Sequence, residues 1–179
     1  MPIPHHNQSM NKFLHWNEVE KLILNEIIWL RNNIETFHKE EKSAPVTCNN
    51  CLLRKIAILL ISGKVTATEI SKSSKSKGFW IENNLKNKKL KIYHGSDWHR
   101  EMMEKIENHF SSQGFDVIRE PTLQWGRADL GVYKKGERDL LIEVGTTSLF
   151  KFWLNLEKMK NTTYLIVPND EKIIEFICN

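Results

Sequence analysis

Two acids set into neighbouring apolar segments are the residues whose placement most suggests chemistry. Asp129 interrupts the run Ala128-Asp129-Leu130-Gly131-Val132, and Glu143 interrupts Leu140-Leu141-Ile142-Glu143-Val144. Both runs read as short strands, in which successive side chains point to opposite faces. Ala128, Leu130 and Val132 then share one face and Asp129 takes the other. Leu140, Ile142 and Val144 share a face in the same way, with Glu143 and Gly145 opposite. The turn-rich Lys134-Lys135-Gly136-Glu137 between the runs reads as a hairpin loop, so the strands are neighbours and the two carboxylates converge. A carboxylate in such surroundings is costly to bury without compensation. A bound divalent cation provides it. Salt bridges to Arg127 or Lys151 also provide it, and the residue pattern leaves both open.

The elements that hold these strands follow from flanking signals. Trp98, Met102, Ile106 and Phe110 form an apolar stripe at four-residue steps, so a helix is expected over 98–111, capped by Ser96 or Asp97 and ended by Gly114. A strand follows over 115–120, closed by Pro121. Gln124-Trp125-Gly126 is a turn, and strands follow over 128–133 and 139–144. Ser148 caps a helix running to 160, and 162–167 is a fourth strand ended by Pro168. Residues 171–178 close the chain as a helix or a strand. The order is α, β, β, β, α, β.

The front half reads differently. Residues 1–11 form a leader. Over 12–39, Phe13, Trp16, Val19, Leu22, Ile23, Ile27, Leu30, Ile34 and Phe37 recur at helical spacing, which predicts a long amphipathic helix. It packs on its own domain or pairs with a second copy of the chain. Cys48 and Cys51 have the spacing of half a zinc site, but no second pair exists, and two ordinary thiols at a helix start are expected there rather than structural zinc. A helix over 52–61 ends at Gly63. Thr66 and Glu69 have capping-box spacing, so a second short helix is expected from Thr66. A polar turn over 71–77, a third helix over 78–89 and a short strand over 90–93 complete the segment.

That order, and the wording GKVTATEISKSSKSKGFWIENNLKNKKLKI, resembles the small DNA-binding winged helices. The resemblance implies that the third helix enters the major groove, with Lys75, Lys77, Asn83, Asn84, Lys86 and Lys88 meeting bases and phosphates. Lys72, Lys75, Lys77, Lys86, Lys88, Lys89, Lys91 and Arg100 crowd this part of the chain against only Glu69, Glu82 and Asp97. Such a cluster is the electrostatic footprint of phosphate binding.

The 179 residues suffice for one ordinary domain or two small ones, and 40% hydrophobic with 27% charged residues excludes a disordered chain. The net charge of +4 is too small to identify a partner by itself. The longest apolar run, Ile56-Ala57-Ile58-Leu59-Leu60-Ile61, is far short of a membrane span. The N-terminus lacks a signal-peptide pattern, and three cysteines make no secreted disulfide framework. An intracellular protein with no membrane partner is expected.

The topology of the second half and the stretch GRADLGVYKKGERDLLIEVG resemble the PD-(D/E)XK nuclease superfamily, over about 96–167. The resemblance implies that Asp129 and Glu143 hold Mg2+ or Mn2+, which activates water against a phosphodiester and offsets transition-state charge. It implies a contribution from the front helix, where His99, Glu101 and Glu104 are candidates, the two glutamates being the better carboxylates. Glu120 is a further metal-ligand candidate. The family lysine belongs at 145, where this chain has glycine; Lys151 or Lys158 is the candidate replacement. The family proline is absent too, with Ala128 before Asp129.

The expected fold class is thus α/β (α+β), with a helical winged-helix-like region before an αβββαβ restriction-endonuclease-like domain with a mixed central sheet. The expected segments are 1–46 for the leader and long helix, 47–94 for the winged helix and 95–179 for the nuclease-like domain. The expected activity is a metal-dependent DNA endonuclease, with Arg127 among the DNA contacts and a homodimer favoured if both strands are cut. The alternatives are a non-catalytic DNA-binding regulator or replication accessory that has lost the lysine, and an interaction protein built on the 12–39 helix.

Overall fold

The structure is a computed structural model and describes residues 16–40, 49–71, 95–168 and 172–179. In chain order they form α1 (Trp16–Glu40), α2 (Asn49–Ile61), β1 (Val65–Ser71), α3 (Asp97–Ser111), β2 (Asp116–Arg119), β3 (Thr122–Leu123), β4 (Gly126–Arg127), β5 (Leu130–Tyr133), β6 (Asp139–Val144), α4 (Leu149–Lys158), β7 (Thr162–Val167) and β8 (Lys172–Cys178). The protein is mixed α/β. Six strands form one sheet in the order β1-β8-β7-β6-β5-β2, and β3 with β4 makes a separate small hairpin. Within the sheet only β6 and β7 run parallel; the other pairs are antiparallel. The parallel pair requires a crossover, and α4 supplies it.

Two apolar clusters cover the two faces of this sheet. One packs Val19 and Ile23 of α1, Leu52, Leu53 and Ile56 of α2, and Phe152 and Leu156 of α4 against Leu141, Tyr164, Ile166, Ile174 and Phe176. The other packs Trp98, Met102, Ile106 and Phe110 of α3 against Leu130, Val132, Ile142, Val144, Leu165 and Val167. Period-two alternation along β6, β7 and β8 sorts each strand between the clusters. Among the described residues no helix is long and apolar enough to cross a membrane.

The short helix expected from Thr66 is the strand β1. Its seven residues pair in register with β8, from Val65↔Cys178 to Ser71↔Lys172. Val65, Thr66, Thr68 and Ile70 are β-branched, which disfavours a helix and suits a pleated edge. Val65 reaches one cluster and Ile70 the other. The local capping signal of Thr66 and Glu69 loses to this long-range pairing, and the segment departs from winged-helix order at its second helix. The expected turn, third helix and wing over 71–93 lie, apart from Ser71, outside the described residues, and so do the leader and Cys48. Cys51 stands in the first turn of α2.

Helices α1 and α2 therefore share a core with the sheet instead of forming a unit ahead of it. Ile56 is fully buried within that shared core. Ile56→Ala is expected to lower unfolding free energy by about 2–5 kcal/mol, in one transition followed identically by tryptophan fluorescence and far-ultraviolet dichroism in urea. Two separated transitions, only one of them shifted, would show that the helices fold apart from the sheet.

Candidate active site

A bend sits at Asp129, immediately before β5. The strand expected over 128–133 begins only at Leu130, and a bend precedes it. Ala128 consequently packs in the α4-side cluster while Leu130 and Val132 pack on the α3 side, so the three do not share a face as alternation predicted. The Asp129 backbone N–H still donates to the Ile142 carbonyl at 3.1 Å. Its side-chain Oδ2 accepts from the Val144 N–H at 2.8 Å. The carboxylate thus stands where a ladder carbonyl would, at the end of β6. Its neighbour from α3 is His99, whose Nε2 lies 3.4 Å from the same Oδ2.

Glu143 points to the α4 side of β6. Its Oε2 accepts from Lys151 Nζ at 2.7 Å, whereas Oε1 is buried with no hydrogen-bonding partner among the described residues. Lys151 reaches it from the first turn of α4, where Ser148 is the N-cap and accepts from the Lys151 N–H at 3.2 Å. Asp129 and Glu143 are only 4% and 3% exposed. The expected alternative of a salt bridge is thus present for Glu143 through Lys151, while Arg127 reaches neither acid and pairs with Glu120 at 3.6 Å in solvent.

The two carboxyls are pushed in opposite directions. Burial pushes Asp129 up, but the hydrogen bonds from His99 and Val144 and the charge of Lys151 outweigh it and hold the group below its ordinary range. Burial, and then the negative charge of Asp129, push Glu143 up to about 8, against the pull of Lys151 and of Asn155. Two buried carboxyls whose charges repel are oxygen donors of the kind a divalent cation takes. Among the described residues no three His, Cys, Asp or Glu side chains gather into a metal-binding group.

The other candidates separate clearly. His99 is buried on the inner face of α3 and reaches Asp129. Glu101 and Glu104 are exposed on the outer face of the same helix, away from the acid pair, because α3 buries Trp98, His99, Met102, Met103, Ile106 and Phe110. The carboxylates favoured on chemical grounds lose to the histidine on helical phase. Glu120 ties its backbone N–H to the Asp129 carbonyl at 2.9 Å, from a left-handed conformation with φ of 49°. Its side chain, however, turns outward to Arg127. Lys158 is exposed in the last turn of α4, and Lys151 alone of the two lysines meets the acids. Lys75, Lys77, Asn83, Asn84, Lys86 and Lys88 lie outside the described residues.

Sequence patterning missed a polar network behind Glu143. Asn155, one turn after Lys151 and buried, accepts from Trp125 Nε1 at 3.1 Å and donates to the Tyr164 hydroxyl at 3.1 Å. It therefore ties the β3–β4 hairpin to β7. Burial, and then the charge of Glu143, push the Tyr164 phenol well above its ordinary range, so it stays neutral. The available signal was an asparagine on the apolar face of an amphipathic helix, four residues after a lysine.

No family model, no curated protein and no solved structure matches this chain.

Proposed function

We propose that the protein is a metal-dependent nuclease that hydrolyses phosphodiester bonds in DNA, with its reaction centre at Asp129, Glu143 and Lys151. The observation that carries this is the buried acid pair at the end of β6, with Lys151 held against one of its members. Asp129 and Glu143 would hold Mg2+ or Mn2+, and the ion, when bound, polarises the phosphoryl group and makes water a better nucleophile. Lys151 would stand in for the lysine that the PD-(D/E)XK resemblance puts at 145, a reading supported by its contact with Glu143 at 2.7 Å. Half-exposed, its ammonium can face both Glu143 and an incoming phosphate, offsetting developing charge. His99 orients Asp129 from α3, and Asn155 fixes α4 to the hairpin that carries Arg127. The basic stretch over 72–91 supplies salt-dependent attraction to the DNA backbone.

The test is incubation of supercoiled plasmid with the full chain and Mg2+ or Mn2+, beside an EDTA control and Asp129→Ala. Nicking that needs the ion and Asp129 is expected. Salt-sensitive binding without any nicking would favour the non-catalytic regulator instead.

A further inference from the structure

Trp16, at the start of α1, and Thr147, in the turn between β6 and α4, line one cavity of about 20 Å³. Among the described residues, Trp16 Nε1 and Thr147 Oγ1 are both buried and neither has a hydrogen-bond partner. Buried polar groups are nearly always paired, because an unpaired one bears the full cost of its desolvation. These two do not bond each other, although their residues border the same space. The rest of the wall offers them little. Val19, Leu149, Phe152 and Ile166 are apolar, and the Gly145 N–H already donates to the Val167 carbonyl at 2.8 Å. The Trp16 ring is also held in place, by edge contacts to Phe152 at 5.6 Å and Phe176 at 5.5 Å. Turning its nitrogen out to solvent would break both contacts.

We propose that this cavity binds one water molecule, which bridges Trp16 to Thr147 and makes them positioning residues for Lys151. A buried water needs roughly 10–15 Å³ and at least two polar partners, and the cavity meets both conditions. An indole N–H only donates, whereas a hydroxyl donates and accepts. The water oxygen therefore accepts from Trp16, and the same water bonds the Thr147 hydroxyl. Thr147 directly precedes Ser148, the N-cap of α4, whose hydroxyl accepts from the Lys151 N–H at 3.2 Å. The bridge thus fastens α1 to the turn that sends Lys151 to Glu143, 2.7 Å away. The water site stands independently of the nuclease reading, and only its effect on turnover rests on that reading.

The test compares crystals of the full chain, wild type against Thr147→Val, which keeps the side-chain shape and removes the hydroxyl. Wild type is expected to show a water within about 3.2 Å of both Trp16 Nε1 and Thr147 Oγ1. In Thr147→Val that water should be lost and the contact between Lys151 and Glu143 should lengthen. Thr147→Ser, which keeps the hydroxyl, should retain both. Single-turnover cleavage at saturating Mg2+ should fall about 10-fold in Thr147→Val, the lower end of what loss of a supporting partner costs a metal site, with the DNA concentration for half-maximal rate unchanged. A wild-type crystal without the water, or with Trp16 bonded directly to Thr147, overturns the site, whatever Thr147→Val does to folding. A water that persists in Thr147→Val overturns the bridge. Loss of the water with Lys151 unmoved and turnover unchanged overturns the positioning role. A bridging water in a protein that cuts no DNA removes the nuclease reading and leaves the water site.

Discussion

Asp129→Ala and Glu143→Gln should each reduce DNA cleavage by more than about 100-fold, the upper end of what loss of a mere outer-shell partner costs a metal site, yet move stability in opposite directions. Asp129 accepts the Val144 N–H and faces His99, both in buried positions. Removing its carboxylate strands that N–H, at a cost of about 1–3 kcal/mol. Glu143 is different, because its folded state resists ionisation. Its carboxyl rises from 4.5 to about 8, a difference of about 5 kcal/mol between protonation states. Unfolded chains lose this proton near 4.5 while the folded chain keeps it to about 8. The contribution of Glu143 is therefore fully present below 4.5, falls across the interval, and is lost above 8. Metal-free wild type should lose stability between pH 5 and 8.5, and Glu143→Gln should be flatter and the more stable of the two at pH 8.5. Asp129, held below its ordinary range, works in the acid limb: its contribution is lost only as pH falls through that lowered value. Urea unfolding at pH 5 and 8.5 checks the sign for Glu143, and unfolding in acid, below the ordinary aspartate range, checks it for Asp129. A Glu143→Gln profile parallel to wild type would show that Glu143 is not the group that titrates.

Why the pair could be found without a structure, and most of its surroundings could not, follows from the range of each signal. An acid inside Leu140-Leu141-Ile142-Glu143-Val144 contradicts its neighbours, and the hairpin register that sets it beside Asp129 depends on only a dozen residues. Ser148 as the cap of α4 is equally local, and the structure has it there. The face assigned to Ala128 failed because the bend at Asp129 breaks the alternation, and nothing in five residues announces a bend. The short helix from Thr66 failed for a longer-range reason: its partner β8 begins about a hundred residues later. Glu101 and Glu104 were favoured for their chemistry, whereas the helical stripe through Trp98, Met102 and Ile106 already placed His99 nearer the buried side. Asn155 joins Trp125 and Tyr164 from three separate elements, a junction that no window of sequence contains.

Lys151→Met is expected to reduce turnover by about 100- to 1,000-fold, the effect of deleting one preorganised charge-stabilising donor, and Gly145→Lys in the same chain should not restore it. Position 145 is where the PD-(D/E)XK pattern expects its lysine, so the double change looks like a repair. The backbone does not permit it. Gly145 holds φ at +87°, which a side chain makes costly, and its N–H donates to the Val167 carbonyl at 2.8 Å, which fixes that geometry. A Cβ there would meet the Trp98 ring only at van der Waals distance, 3.4 Å, so the obstacle is the backbone and not space. The chain leaves β6 by this turn in order to enter α4, and the first turn of α4 is what delivers Lys151 to Glu143. Glycine at 145 and lysine at 151 are thus two parts of one solution. Lys158→Met, in contrast, should leave turnover unchanged, since seven helical residues separate it from Lys151 by roughly 10 Å along the axis. Single-turnover cleavage at saturating Mg2+ distinguishes the cases. Recovery in the Gly145→Lys, Lys151→Met chain would mean that the turn yields and that the amine can arrive from the strand.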